Sequence, residues 1–315
     1  MSLLAISVQD HEESYDCLHD TCRASTRTRT PPPRPRHDHD QTFAALAELG
    51  AEVLLAFVTD TAVQIAELRN ADAPPIRRII DIGSGPGVGT CELARRFPEA
   101  QVIAVDSAVA MLERTTTRAI EQGLQAQITT LMADLPGGLD DLEPADVIWA
   151  SMSLHHVGNE VEALRVLRGL LSPYGLIAVA EMAEPMHVLP DALDVGRPGL
   201  AKRIDTAGAK WFAQMRIDLT DSVPSLDLAL MFTSAGFEII SSQIIRQRLD
   251  SPLSDAARRL VLGDLQRVSG LLDDDDRATV AVLTDPTDPR SVMQRQDVFV
   301  EASRRLVIAQ PTRTR

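Results

Sequence analysis

Three acids and a histidine pair stand where apolar runs end in the first half of this sequence: Asp81, Asp106, Asp134 and His155-His156. Carboxylates in such places can accept hydroxyl or amine hydrogens and attract a cation, and a histidine can take a proton near neutral pH. After the first acid comes Ile82-Gly83-Ser84-Gly85-Pro86-Gly87-Val88-Gly89-Thr90. Glycine permits φ > 0 and close approach of backbone to a ligand, and the amides of a following helix start face an anionic group. The β-branched run Arg78-Ile79-Ile80 before the loop and Glu92-Leu93-Ala94-Arg95-Arg96-Phe97 after it predict strand, tight loop, helix.

The spacing bears on the ligand. A dinucleotide fingerprint asks for G-x-G-x-x-G, but from Gly83 and Gly85 the last place is Val88, and Pro86 removes an N–H, so a pyrophosphate fits poorly. A carboxylate at Asp81 would also repel a pyrophosphate, whereas it attracts an ammonium. The stretch Asp81-x-Gly83-x-Gly85-x-Gly87 resembles the first motif of the class I S-adenosylmethionine-dependent methyltransferases. The resemblance implies that Asp81, Gly83, Ser84, Gly85 and Gly87 hold the methionine part of S-adenosyl-L-methionine. Asp106, 25 residues after Asp81, then meets both ribose hydroxyls, with Ser107 and Met111 opening the next helix. Asp134 meets the adenine amino group, with Ala133 and Leu135 beside it. Ser151 and Leu154-His155-His156, after the fourth strand, lie near the sulfonium end and resemble the small-molecule, quinone-biosynthesis branch. His155 and His156 are the candidate catalytic bases; the other reading makes them scaffold, one imidazole beneath the cofactor and one on a backbone group.

Positioning these residues requires an α/β fold, and the resemblance implies a doubly wound, seven-stranded, mostly parallel sheet of Rossmann-like type with helical cover insertions. Strands are predicted at Gln101–Asp106, Ile128–Leu135, Ala145 onward, Leu176–Glu181, Glu238–Ile245 and Ser303–Ala309, the last antiparallel in the family. Residues 1–40, with Pro31-Pro32-Pro33 and no periodicity, read as a disordered tail whose His37-Asp38-His39-Asp40 is solvated. Residues 41–74 read as an N-terminal helical cover, one helix or two broken near Gly50, and 75–315 as the donor-binding domain. Its insertions at about 184–224 and 252–296 break the simple alternation; Trp211, Phe212 and Met215 there are open to two readings, pocket lining or plain core. Helices are expected around Asp255–Leu272 and Asp275–Leu283, with Asp273-Asp274-Asp275-Asp276 a solvated helix start.

Composition limits the function. The chain has 315 residues, 44% of them hydrophobic, enough for a sizeable core. A net charge of −14 argues against a nucleic-acid backbone as partner, and the resemblance implies a small-molecule acceptor, with a homodimer as one assembly open to the chain. No apolar run reaches the ~18 residues of a membrane span, and no leader pattern is evident, so a cytoplasmic place is expected. Cys17, Cys22 and Cys91 form no metal spacing with histidines, so no metal is expected. The reading is methylation of a small molecule at O, N or C. Two rivals remain: a non-catalytic S-adenosylmethionine-binding module, and an NAD-dependent oxidoreductase, which the glycine spacing disfavours.

Overall fold

The computed structural model describes residues 41–217, 219 and 227–312; the tail expected over 1–40, with Cys17 and Cys22, lies outside them. Two helices open the described chain, α1 (Gln41–Val53) and α2 (Ala56–Leu68), bent by 58°. The break falls at Leu54 and Leu55 rather than near Gly50, whose carbonyl accepts from Leu54 N and so continues the helix. An added Cβ on Gly50 would lie 3.7 Å from Leu260, an ordinary van der Waals contact, so a larger residue would also fit here.

Alternation then begins: β1 (Arg78–Ile82), α3 (Val88–Arg96), β2 (Gln101–Asp106), α4 (Val109–Glu121), β3 (Ile128–Met132) and β4 (Ala145–Ser151). A 3₁₀ turn at Leu154–His156 leads to α5 (Glu160–Gly169) and β5 (Leu171–His187). There follow α6 (Leu200–Ile217), α7 (Leu228–Ser234), β6 (Phe237–Leu249), α8 (Asp255–Ser269), α9 (Asp274–Thr284) and β7 (Val300–Pro311). One seven-stranded sheet results, in the order β3-β2-β1-β4-β5-β7-β6. β1 to β5 run parallel, and β7 is antiparallel, as the resemblance implies; it lies between β5 and β6.

Both faces of the sheet are covered, which is why β1 and β4 read as continuous apolar runs rather than alternating ones. Ile80, Ile82, Ile148 and Val307 pack with α5 and α7 on one face; Ile79, Val102, Trp149 and Leu306 pack with α2 and α3 on the other. A further core gathers Leu54, Phe57, Leu200, Ile204, Leu260, Val261, Val280 and Val300, from the break between α1 and α2 and from α2, α6, α8, α9 and β7. The last three strands outrun the sequence reading because their outer ends pair with one another, from His187 opposite Glu301 to Leu249 opposite Val300. β3, by contrast, stops at Met132.

The aspartate run is a helix start, but it is not simply solvated. Asp273 caps α9 by accepting from Asp276 N at 3.0 Å, while Asp276 is buried and receives Arg203 Nε at 2.5 Å and Arg197.

Candidate functional site

Three glycines in the loop after β1 take φ of +66° (Gly83), +54° (Gly85) and +77° (Gly87), a region costly for side-chain-bearing residues. Their surroundings differ. A Cβ on Gly83 would come 2.3 Å from Ser153 Cβ, and one on Gly87 2.7 Å from Thr115, whereas one on Gly85 would meet nothing within 4 Å. Gly83 and Gly87 therefore serve the protein's own packing, and Gly85 faces open space. The loop is fixed around it: Gly83 N and Ser84 N donate to Val105 O, and Thr115 Oγ1 donates to Gly85 O at 2.9 Å. Gly85→Ala is thus expected to cost only about 1–2 kcal/mol of stability through φ, yet to weaken donor binding at least ~10-fold, the added methyl filling the cradle. Calorimetric titration giving the wild-type affinity would remove Gly85 from the ligand's neighbourhood.

The acids flank this cradle. Asp106 accepts from Gly85 N and Ala108 N, both at 2.9 Å, one on each oxygen, so each oxygen keeps lone-pair capacity for a hydroxyl. Asp81 is 3% exposed and accepts from Thr90 Oγ1 at 2.6 Å. Burial pushes its carboxyl up to about 7, against the Thr90 hydrogen bond and with the help of Asp106 nearby. No Lys, Arg or His nitrogen among the described residues lies within the 4 Å of an ion pair with it. Ser84 Oγ is buried beside it without a hydrogen-bond partner. A buried carboxylate lacking a cation, an orphaned hydroxyl and a cradle open at Gly85 together fit the ammonium-bearing methionine end of S-adenosylmethionine.

The other predicted residues are placed as follows. Ala133 is buried with its N–H on Asp106 O at 3.2 Å, and Leu135 and Met111 are buried. Asp134 and Ser107 are exposed, and Ser151 is partly buried. Asp81, Asp106, Ala133 and the loop are thus drawn together at the carboxyl ends of β1 and β2, where open parallel sheets bind ligands.

The histidines belong to a different constellation. At the end of β4, Met152 has φ +54°, the one non-glycine in this region among the described residues. Ser153 then turns its hydroxyl onto Ile82 O at 2.9 Å. Glu181, at the end of the β5 core, is 1% exposed and accepts Ser153 N (3.1 Å) and Leu154 N (2.8 Å) on one oxygen, and pairs with His155 Nδ1 at 2.6 Å on the other. Burial opposes its ionisation, but the charge and hydrogen bond of His155, with those two amides, outweigh burial and hold Glu181 below the usual carboxylate range. His155 therefore meets a carboxylate, not the backbone group expected of a scaffold histidine. Its ring lies 4.2 Å from that of His156, which is exposed, and 5.1 Å from Phe212 of α6. Arg216, buried, donates to Glu160 at 2.6 Å beneath the same turn. Glu181, Thr90 and Ser153 escaped the sequence reading. An acid ending an apolar run at Ala178-Val179-Ala180-Glu181 was the available signal.

Comparison with known proteins agrees with this geometry. The family described as "Methyltransferase domain" matches residues 79–175. The chain is 34% identical over 139 residues to a trans-aconitate 2-methyltransferase of Methylobacterium radiotolerans, covering 41% of this chain and 51% of that protein. It is 33% identical over 138 residues to the enzyme of the same name from Pseudomonas paraeruginosa, covering 42% and 47%. The chain thus spans about half the length of the curated relatives it matches. Among solved structures, an S-adenosylmethionine-dependent methyltransferase of Geobacter sulfurreducens in complex with S-adenosyl-L-homocysteine aligns at 17% identity and TM-score 0.45, over 81% of this chain and 90% of that one. The stretch that carries the glycine loop, Asp106, Asp134 and His155-His156, residues 79–175, is thus the part of the chain that matches a methyltransferase domain.

Proposed function

We propose that the protein transfers a methyl group from S-adenosylmethionine to a small-molecule acceptor. The observation that carries this reading is Asp81, a buried carboxylate beside an open glycine cradle with no cation among the described residues within ion-pair reach. A nicotinamide dinucleotide would bring two phosphates to that carboxylate, and a donor with an ammonium brings the missing charge. In this reading Asp81 takes the ammonium, Ser84 and Gly85 the methionine backbone, Asp106 the ribose hydroxyls, and Ala133, Asp134 and Leu135 the adenine side. When bound, the donor supplies a methyl group activated by its sulfonium. The protein's part is to hold the acceptor in line behind that methyl and to keep water away, since proximity supplies much of such a rate.

Geometry favours His155 as a positioning residue: its Nδ1 is fixed by Glu181 and its ring enclosed by Phe212 and His156. An acceptor already ionised at neutral pH needs no base. With such an acceptor, His155→Gln is expected to keep turnover within ~10-fold of wild type from pH 6 to 9. A loss of ~10²-fold or more that shrinks as pH rises would instead identify His155 as a general base.

The deciding experiment incubates the purified protein with S-adenosylmethionine and small polycarboxylic acids. Trans-aconitate, the acid in the name of the relatives, comes first. Mass spectrometry should find S-adenosylhomocysteine and a product heavier by one methyl. Donor binding without turnover on any acceptor would favour the regulatory-module reading.

A further inference from the structure

Arg304 differs from the other arginines at its end of the sheet. Arg246, Arg248 and Arg295 each sit on carboxylates, at 3.3, 2.8 and 2.7 Å. Arg304 has none: among the described residues no carboxylate oxygen lies within the 4 Å of an ion pair with it. Its Nη1 donates to Ser303 O at 3.2 Å, and its guanidinium carbon stands 5.1 Å from the centre of the Phe57 ring. Alternation along β7 places Arg304 on the face of Leu306 and Ile308, the α2 and α3 side, opposite Met182 and Ile245. The residue keeps some exposure, but burial of the guanidinium lowers its pKa to about 10, with Glu181 partly offsetting the effect. It stays charged at working pH. Of five N–H donors in a fixed fork, a single one has a hydrogen-bond acceptor here.

Two series of neighbours lead from this cation toward the donor loop. Phe57 precedes Val58 on α2, and a Cβ on Gly89 would lie 3.8 Å from Val58 and 3.9 Å from Asp81 Oδ2. On the other side, Glu181, whose charge Arg304 feels, holds Ser153, and Ser153 packs on Gly83 and bonds Ile82 O. A guanidinium without a carboxylate, beside an aromatic ring and opposite Met182, one residue past Glu181, matches a planar anion in charge and shape.

We propose that Arg304 is a specificity residue that binds a carboxylate of the methyl acceptor, so that the substrate class is a small organic acid. This rests on the methyltransferase reading above, and the test separates the two. Calorimetry would titrate tricarballylate, an unreactive tricarboxylate, into the protein with and without saturating S-adenosylhomocysteine. The wild type should bind it, Arg304→Gln ~30-fold more weakly, and Arg304→Lys between them, with S-adenosylhomocysteine affinity unchanged in all three. A group evolved for an incoming anion rather than for the fold should also leave the melting temperature of Arg304→Gln equal to or above wild type, because an enclosed charge without a counter-ion is removed. Equal tricarballylate affinity in wild type and Arg304→Gln, no binding by the wild type, or a melting temperature lowered by more than ~5 °C overturns the proposal, the last by making Arg304 a structural counter-charge to Glu181. Failure to bind S-adenosylhomocysteine would overturn the donor reading alone, since the titration without it still reports on Arg304.

Discussion

Glu181→Ala is expected to destabilise the protein by about 3–5 kcal/mol, the range for removing one member of a buried ionic network. The carboxylate is 1% exposed and satisfies three donors, Ser153 N, Leu154 N and His155 Nδ1, which would all be left in a dry interior. At roughly 2–4 °C per kcal/mol for a domain of this size, the melting temperature should fall by about 6–20 °C. The loss should also carry a pH signature. Because Glu181 is held below its ordinary value when folded, its stabilisation is complete above the unfolded carboxyl's ~4.3 and disappears as pH falls through the folded pKa. Thermal unfolding followed from pH 3 to 7 should therefore show the gap between wild type and variant narrowing at the acid end. Gln at this position keeps the volume but must turn an amide N–H₂ toward a backbone N–H or the imidazole, so an intermediate loss is expected. A variant melting within 3 °C of wild type at pH 7 would mean that the turn after β4 is held by something else.

Asp81→Asn should weaken S-adenosylmethionine binding ~10- to 100-fold, the worth of one charge-assisted contact of about 1.5–3 kcal/mol. Its stability should move the other way. Burial raises Asp81 to about 7 in the folded state, so the folded protein binds a proton there that the unfolded chain releases near pH 4. Stability from this group is therefore present at low pH and falls as pH rises from about 4 to 7, and Asn, never charged, is spared that loss. Donor affinity in the wild type should climb as Asp81 ionises through about 7, then decline above ~8 as the donor's own α-amino group loses its proton. Titrations at pH 6, 7.5 and 9 with both proteins decide it. A flat wild-type profile, or an Asn variant of equal affinity, would detach Asp81 from the ammonium.

What could be read before the fold was known followed the local signals. Asp81 and the glycines announce themselves because a strand, a turn with φ > 0 and a helix start all leave marks within ten residues. Asp106, one strand later, is marked by the acid that closes an apolar strand just before a helix start. Glu181 also ends an apolar run, but its role leaves no local mark: its partner His155 is 26 residues away, and the pairing exists only because β4 and β5 are neighbours. Arg304 and Arg305 are indistinguishable in sequence, and the sheet order alone turns one toward Phe57 and leaves the other exposed. On the aromatic helix Phe212 lies against His155, while Trp211 sits under Arg267 at 4.4 Å. The break between α1 and α2 lies at two leucines because packing, not glycine, bends the chain there.

The strand order has a consequence for how the molecule comes into being. β7 lies between β5 and β6 although it follows both in sequence, and β6 has β7 as its sheet neighbour. During synthesis from the amino terminus, β1 to β5 can assemble as each parallel neighbour arrives, but β6 must wait with its backbone groups unpaired. Val300–Pro311 closes that gap and brings Arg304 with it. A nascent chain therefore possesses the glycine loop before the strand that fills this gap, and a form lacking those twelve residues would leave β5 and β6 without their common neighbour and all three cores without a wall.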